Sequence, residues 1–86
     1  MNRDQQIALV TGASQGIGRA VAEALLADGH QVALVARREG PLQSLARQYA
    51  GQALTLAADV ADPDAVATVY EQIQASYGRL DVLFNN

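Results

Sequence analysis

The stretch "TGASQGIG", Thr11 to Gly18, follows the apolar run "IALVT" of Ile7 to Thr11 and precedes a segment of helical periodicity. Strand, glycine-rich turn and helix in that order are the parts of a dinucleotide-binding unit. Glycine permits the tight turn and lets the backbone approach a pyrophosphate closely. The helix N-terminus then offers free N–H groups and a positive dipole to the anion. The spacing here is Gly-x-x-x-Gly-x-Gly, not the Gly-x-Gly-x-x-Gly of the general fingerprint. Three isolated glycines fit a purely structural strand-to-helix turn as well. The strand before and the amphipathic helix after are what favour the phosphate reading. An ATPase-type phosphate loop is excluded, because no Gly-Lys-Ser/Thr follows and all six cationic residues are arginines.

Working outward, strand and helix periods alternate. From Ile17 the apolar positions Ala20, Val21, Ala24 and Leu25 follow helical spacing, and Gly29 after Asp28 is a stop signal. "VALVA", Val32 to Ala36, is a second buried-strand run. Leu42, Leu45, Ala46 and Tyr49 mark a second helix, closed by Gly51, and "ALTLAA", Ala53 to Ala58, a weaker third strand. "DPD", Asp62 to Asp64, supplies an N-cap acid, a proline at the first helical position and an acid facing the positive helix end. Val66, Val69, Tyr70, Ile73 and Tyr77 carry that helix to Gly78, and Asp81 to Asn85 forms a fourth strand. Four strands alternating with three helices predict an α/β fold, a Rossmann-type parallel sheet with right-handed crossovers. If the third connection crosses to the far side of strand one, the order is 3-2-1-4. Ligands of such sheets sit at the carboxyl ends of the strands, at the switch point between strands one and four.

Composition narrows the function classes. Half the residues are apolar and 17% charged, which argues for a globular chain rather than a disordered one. The net charge is −3, and only Arg37 and Arg38 cluster among the cations, so nucleic acid and anionic membrane are poor partners. The chain has no cysteine and one histidine, His30, which leaves no thiolate metal site and little for zinc. His30 reads as a solvated turn residue. A polar N-terminus and the lack of a long apolar run predict neither a signal peptide nor a membrane span, with the cytoplasm as the expected location.

"TGASQGIGRA" after an apolar strand resembles the short-chain dehydrogenase/reductase family, whose glycine motif is Thr-Gly-x-x-x-Gly-x-Gly. Two further matches follow in order. "ADV" at Ala58 to Val60 is similar to the family's adenine-contacting Asp-Val, and "NN" at Asn85 and Asn86 to the first half of its Asn-Asn-Ala-Gly. The resemblance runs from strand one to Asn86. It implies that Gly12, Ser14, Gln15, Gly16, Ile17 and Gly18 wrap the cofactor phosphates, that Asp59 and Val60 meet the adenine, and that Asn86 lies near the ribose. Plainer roles stay open: Asp59 as a turn acid, Asn85 and Asn86 as strand-end amides closing the sheet.

Cofactor choice is read at the end of strand two. Ala36 stands twenty residues past Gly16, where an NAD-specific fold places an acid on the ribose 2′-OH. No acid is there, and Arg37 and Arg38 follow, suited to a 2′-phosphate. NADP(H) is therefore favoured over NAD(H), unless both arginines are merely solvated or Glu39 pairs with one of them. The missing acid also counts against a methyltransferase.

The family transfers hydride with a Tyr-x-x-x-Lys pair aided by a serine and an asparagine, the lysine lowering the tyrosine pKa. Tyr49, Tyr70 and Tyr77 are followed at the fourth position by Ala53, Gln74 and Asp81, so no catalytic residue is assigned. Their spacing makes all three packing residues. Right-handed crossovers put the first two helices on one face and only the third on the other, leaving apolar sheet uncovered and strand four an open edge. The expectation is one dinucleotide-binding domain over residues 1–86, the N-terminal portion of a larger, doubly wound reductase, inactive alone. It is expected to be marginally stable and to self-associate or pair through that edge. The alternative is a free-standing nucleotide-binding or interaction module without catalysis.

Overall fold

A computed structural model describes residues 5–85. In chain order the elements are β1 (Ile7–Thr11), α1 (Gly16–Ala27), β2 (Gln31–Ala36), a 3₁₀ turn (Gly40–Leu42) leading into α2 (Gln43–Gln48), β3 (Ala53–Ala57), α3 (Pro63–Tyr77) and β4 (Val82–Phe84). All strand pairs are parallel, and the order is β3-β2-β1-β4, as expected from the sequence.

The two central strands read as continuous apolar runs because both their faces are covered. β1 is buried throughout and β2 from Val32 onward. Alternate residues serve opposite layers. Val10, Val32 and Leu34 pack with Ala22 and Leu26 of α1 and with Leu45 of α2. Leu9, Ala33, Val35 and Leu56 meet Val69 and Ile73 of α3 on the other side. Two helices thus lie on one face and one on the other, the arrangement that right-handed crossovers require.

α1 presents a different stripe from the expected one. Its buried residues are Gly18, Ala22 and Leu26, one per turn, with Val21 and Leu25 at the margin, whereas Ala20 and Ala24 are exposed. A glycine and an alanine at the contact let the helix lie close to the sheet. The helix ends where Gly29 N–H donates to Leu26 O at 3.0 Å and His30 N–H to Leu25 O at 3.1 Å, the paired bonds of a Schellman stop.

His30 is not solvated. Its side chain is only 12% exposed, with Nε2 3.3 Å from Asp28 Oδ2. Its Nδ1 accepts from the Gln6 N–H at 3.0 Å. An accepting Nδ1 places the ring proton on Nε2, facing the carboxylate. The ring thereby ties the end of α1 to the start of β1. Tyr70 also departs from expectation: it is 42% exposed, while Tyr49 and Tyr77 pack against the two cores.

α3 starts at the expected place. Asp62 caps it, its carboxylate accepting from Asp64 N–H at 3.0 Å, with Pro63 following and Gly78 closing the helix at φ +79°. Replacing such a cap by alanine costs about 1 kcal/mol.

β4 is shorter than the sequence suggested, with three residues in register against Ala8, Leu9 and Val10. Side chains extend the pairing at both ends. Asp81 N–H donates to Ile7 O at 2.8 Å, and Ile7 N–H donates back to Asp81 Oδ2 at 2.9 Å. At the other end the Thr11 hydroxyl donates to Asn85 Oδ1 at 2.9 Å. Arg79 completes the lower clasp, Nε to Asp81 Oδ2 at 3.0 Å and Nη2 to Gln5 O at 3.2 Å.

Two outcomes follow from these contacts. Asp62→Ala should lower unfolding free energy by about 1 kcal/mol in urea denaturation, while Asp62→Asn, which can still cap, should stay near wild type. The Ile7 N–H first, and Arg79 second, hold the Asp81 carboxyl below its ordinary value of 3.8. A depressed folded-state pKa gives stability that is present above 3.8 and is lost as pH falls through the folded value. Melting temperature should therefore drop across that acid window. Asp81→Ala should melt lower at pH 7, with the two curves converging in acid.

Candidate functional site

The carboxyl ends of β1, β2 and β3 open on one side of the sheet into a cleft of about 730 Å³. Its walls come from three separate loops: Gly12, Ser14 and Gln15 after β1, Arg37 and Arg38 after β2, and Asp59 and Val60 after β3. Seven of the residues singled out from sequence thus meet around one space. Gly16, Ile17 and Gly18 sit beside it in the first turn of α1, and Asn86 lies outside the described residues.

The glycine turn is held from both sides. Its backbone leaves β1 at Gly12 with φ +63° and enters α1 at Gly16 with φ +64°, conformations that side chains resist. Between them Ala13 N–H donates to Val35 O at 3.0 Å, locking the turn to the end of β2. A Cβ at Gly16 would meet nothing within 4 Å, so backbone conformation and not crowding within the chain requires glycine there. Gly18 is different: it is buried against the sheet, a close-approach position. Ile17 is 68% exposed and contributes nothing to the core.

The first turn of α1 is electrostatically open. Its N-cap, Gln15, has extended backbone and makes no side-chain capping bond, and no acid stands in the turn. The uncapped N–H groups and the helix dipole favour an anion at this end. At α3 the corresponding groups are already served by Asp62 and Asp64.

Arg37 and Arg38 are exposed on the opposite wall. Among the described residues neither takes part in an ion pair. Glu39, the expected competitor, turns away instead, its Oε1 accepting from the Thr55 hydroxyl at 3.4 Å. Two guanidinium groups are therefore left free to meet a phosphate.

Asp59 shapes its own loop: Oδ1 accepts from Ala61 N–H at 2.9 Å, and its carbonyl accepts from Asp62 N–H at 2.9 Å. The turn role is thus present, and the same turn presents Val60 to the cleft. Asn85 is a strand-end amide through its bond to Thr11. A smaller apolar hollow of about 250 Å³ lies on the α3 side, where Leu83 and Tyr70 join Val69.

Burial pushes the Tyr77 phenol above its ordinary value of 10.0, the wrong direction for an acid or base near neutral pH. Among the described residues no group of three or more histidine, aspartate and glutamate side chains could hold a metal ion. The sequence could not announce the Glu39–Thr55 contact, which joins residues 16 apart across a strand pair.

Known proteins resemble this chain in sequence and in fold. The chain is 43% identical over 86 residues to the 3-oxoacyl-[acyl-carrier-protein] reductase of Escherichia coli, covering all of this chain and 35% of that one. It is 44% identical over 91 residues to human 15-hydroxyprostaglandin dehydrogenase [NAD(+)], covering all of this chain and 34% of that protein. The structure of L-sorbose reductase from Gluconobacter frateurii, complexed with NADPH and L-sorbose, superposes with a TM-score of 0.86. That match has 38% identity and covers 95% of this chain and 33% of the reductase. The chain spans about a third of the length of the curated relatives it matches. Residues 6–86 match the short chain dehydrogenase family, and this chain belongs to that family of oxidoreductases.

Proposed function

We propose that this chain is the NADP(H)-binding portion of a short-chain dehydrogenase/reductase that reduces a carbonyl or oxidises an alcohol. The observation that carries the reading is the single cleft joining an uncapped helix N-terminus to two unpaired arginines. The groups present fit a phosphorylated dinucleotide: N–H donors for a pyrophosphate, guanidinium forks for a 2′-phosphate, and an apolar Val60 beside Asp59 for a purine. When bound, the dinucleotide supplies a hydride to, or takes one from, a carbon of the substrate.

Each part of the chain has one task in this reading. Gly12, Ser14, Gln15, Gly16, Ile17 and Gly18 wrap the phosphates, Arg37 and Arg38 select the 2′-phosphate, and Asp59 and Val60 orient the adenine, with Asn86 near the ribose. Orientation of the purine matters because it fixes the whole extended cofactor relative to the strand ends. No lysine occurs in these 86 residues, so the Tyr-x-x-x-Lys pair is not among them. The proposed contribution of the chain is cofactor binding and selection, without turnover. The outer edge of β4 and the 50% exposed Leu83 support a second part of the reading, that the chain pairs with another strand there.

A fluorescence titration with NADPH and NADH tests the first part. NADPH should bind about ten- to a hundredfold more tightly, the equivalent of about 1.5–3 kcal/mol for hydrogen bonds to a charged group. Arg37→Ala combined with Arg38→Ala should remove that preference and leave NADH binding unchanged. Equal affinity for both nucleotides in the unaltered chain would defeat the cofactor assignment. For the second part, sedimentation equilibrium should show concentration-dependent association that Leu83→Lys weakens.

A further inference from the structure

We infer that Arg19 is a positioning residue for cofactor choice: it clamps the segment after β2 to α1 and so holds Arg37 and Arg38 against the cleft. The inference rests on the reading of those two arginines as 2′-phosphate donors. It assigns a separate residue, outside the cleft, to their placement.

The segment from Arg37 to Pro41 has little to hold it. All five residues are exposed, and the 3₁₀ turn that begins at Gly40 has no side-chain cap. α2, with six residues, is too short to be stable by itself. Leu42 and Leu45 anchor the far end in the core, and the Glu39–Thr55 contact restrains one side. The other side is restrained by Arg19.

Its guanidinium spans three partners at once. Nη1 donates to Pro41 O at 3.1 Å, Nη2 to Ser44 Oγ at 3.1 Å, and Nε to Glu23 Oε1 at 3.2 Å. Glu23 lies one turn along α1 and aims the fork, and Pro41 is itself part of the cleft wall. A rigid planar fork can satisfy partners in three directions, which an ammonium on a flexible stem does poorly. The backbone of Arg19 meanwhile belongs to the first turn of α1, its N–H donating to Gln15 O at 3.4 Å. One residue thus links the turn facing the pyrophosphate to the segment facing the ribose. Donors already in place bind more tightly than donors that must be ordered on binding.

The test uses the full chain and Arg19→Met, which keeps the stem and removes the fork. Backbone order parameters of residues 37–40 should fall below about 0.6 on the picosecond–nanosecond scale. Affinity for NADPH should fall about tenfold while that for NADH holds, because only the 2′-phosphate donors lose their placement. Adding Arg19→Met to the Arg37→Ala and Arg38→Ala pair should change the nucleotide ratio no further. Ser44→Ala, at an exposed position that tolerates the change, should move the ratio the same way by about threefold. Equal weakening for both nucleotides, a segment that stays rigid, or an unchanged ratio in Ser44→Ala would overturn the clamp. If the paired arginine variant itself kept its NADPH preference, the phosphate assignment would fail and take the clamp's role in selection with it. If that variant lost the preference but Arg19→Met did not, only the clamp would fail.

Discussion

The structure depends on β1 being paired along both edges and buried on both faces. A backbone amide left unpaired in such a place costs roughly as much as a lost hydrogen bond, so the strand is tolerable only with β2 and β4 in register beside it. That requirement explains the unbroken apolar sequence, the parallel order and the helices on either side. It also fixes the site. A strand so confined delivers Thr11 and Gly12 to a constant place, and the bond from Ala13 to Val35 carries that constancy into the glycine turn.

The electrostatics of the helix ends divide the molecule into a finished side and an open side. α3 begins with its own acids, so its dipole is answered within the chain. α1 begins with glycine and glutamine, and its dipole is answered by nothing that caps it. Both helices emerge from the same end of the sheet, yet only α1 starts without a side-chain cap or an acid in its first turn. The two arginines after β2 extend that positive region in a chain whose net charge is −3. Local field, rather than overall charge, distinguishes the cleft.

Sequence patterns disclosed those features that arise from nearest neighbours along the chain. Continuous apolar runs marked β1 and β2, Asp62 with Pro63 marked the start of α3, and the glycines marked the turn, because each is dictated by backbone chemistry within a few residues. The α1 stripe was misread because alanine fits either face, and a buried glycine carries no hydrophobic signal at all. His30 and Tyr70 exchanged their expected environments for a similar reason. Their exposure is set by what lies opposite in space, Gln6 and Asp28 for the histidine and an open hollow for the tyrosine. Around the site, residue types were legible but their pairings were not. Glu39 and Arg19 find partners through contacts between separate elements, which spacing along the chain does not encode.

The short β4, clasped by Asp81 below and Asn85 above, bears on the order of assembly. Ile7 and Asp81 lie 74 residues apart, whereas the contact between Gln6 and His30 closes 24. Closing the larger loop costs about 1 kcal/mol more in chain entropy, and only three strand residues with their flanking side chains are there to offset it. The β1–α1–β2 unit therefore has the advantage in forming first, with β4 docking late. During that interval the outer edge of β1, a strand buried along its whole length, is without its neighbour. The bonds between Asp81 and Ile7 and between Asn85 and Thr11 then hold the last strand against that edge from both ends.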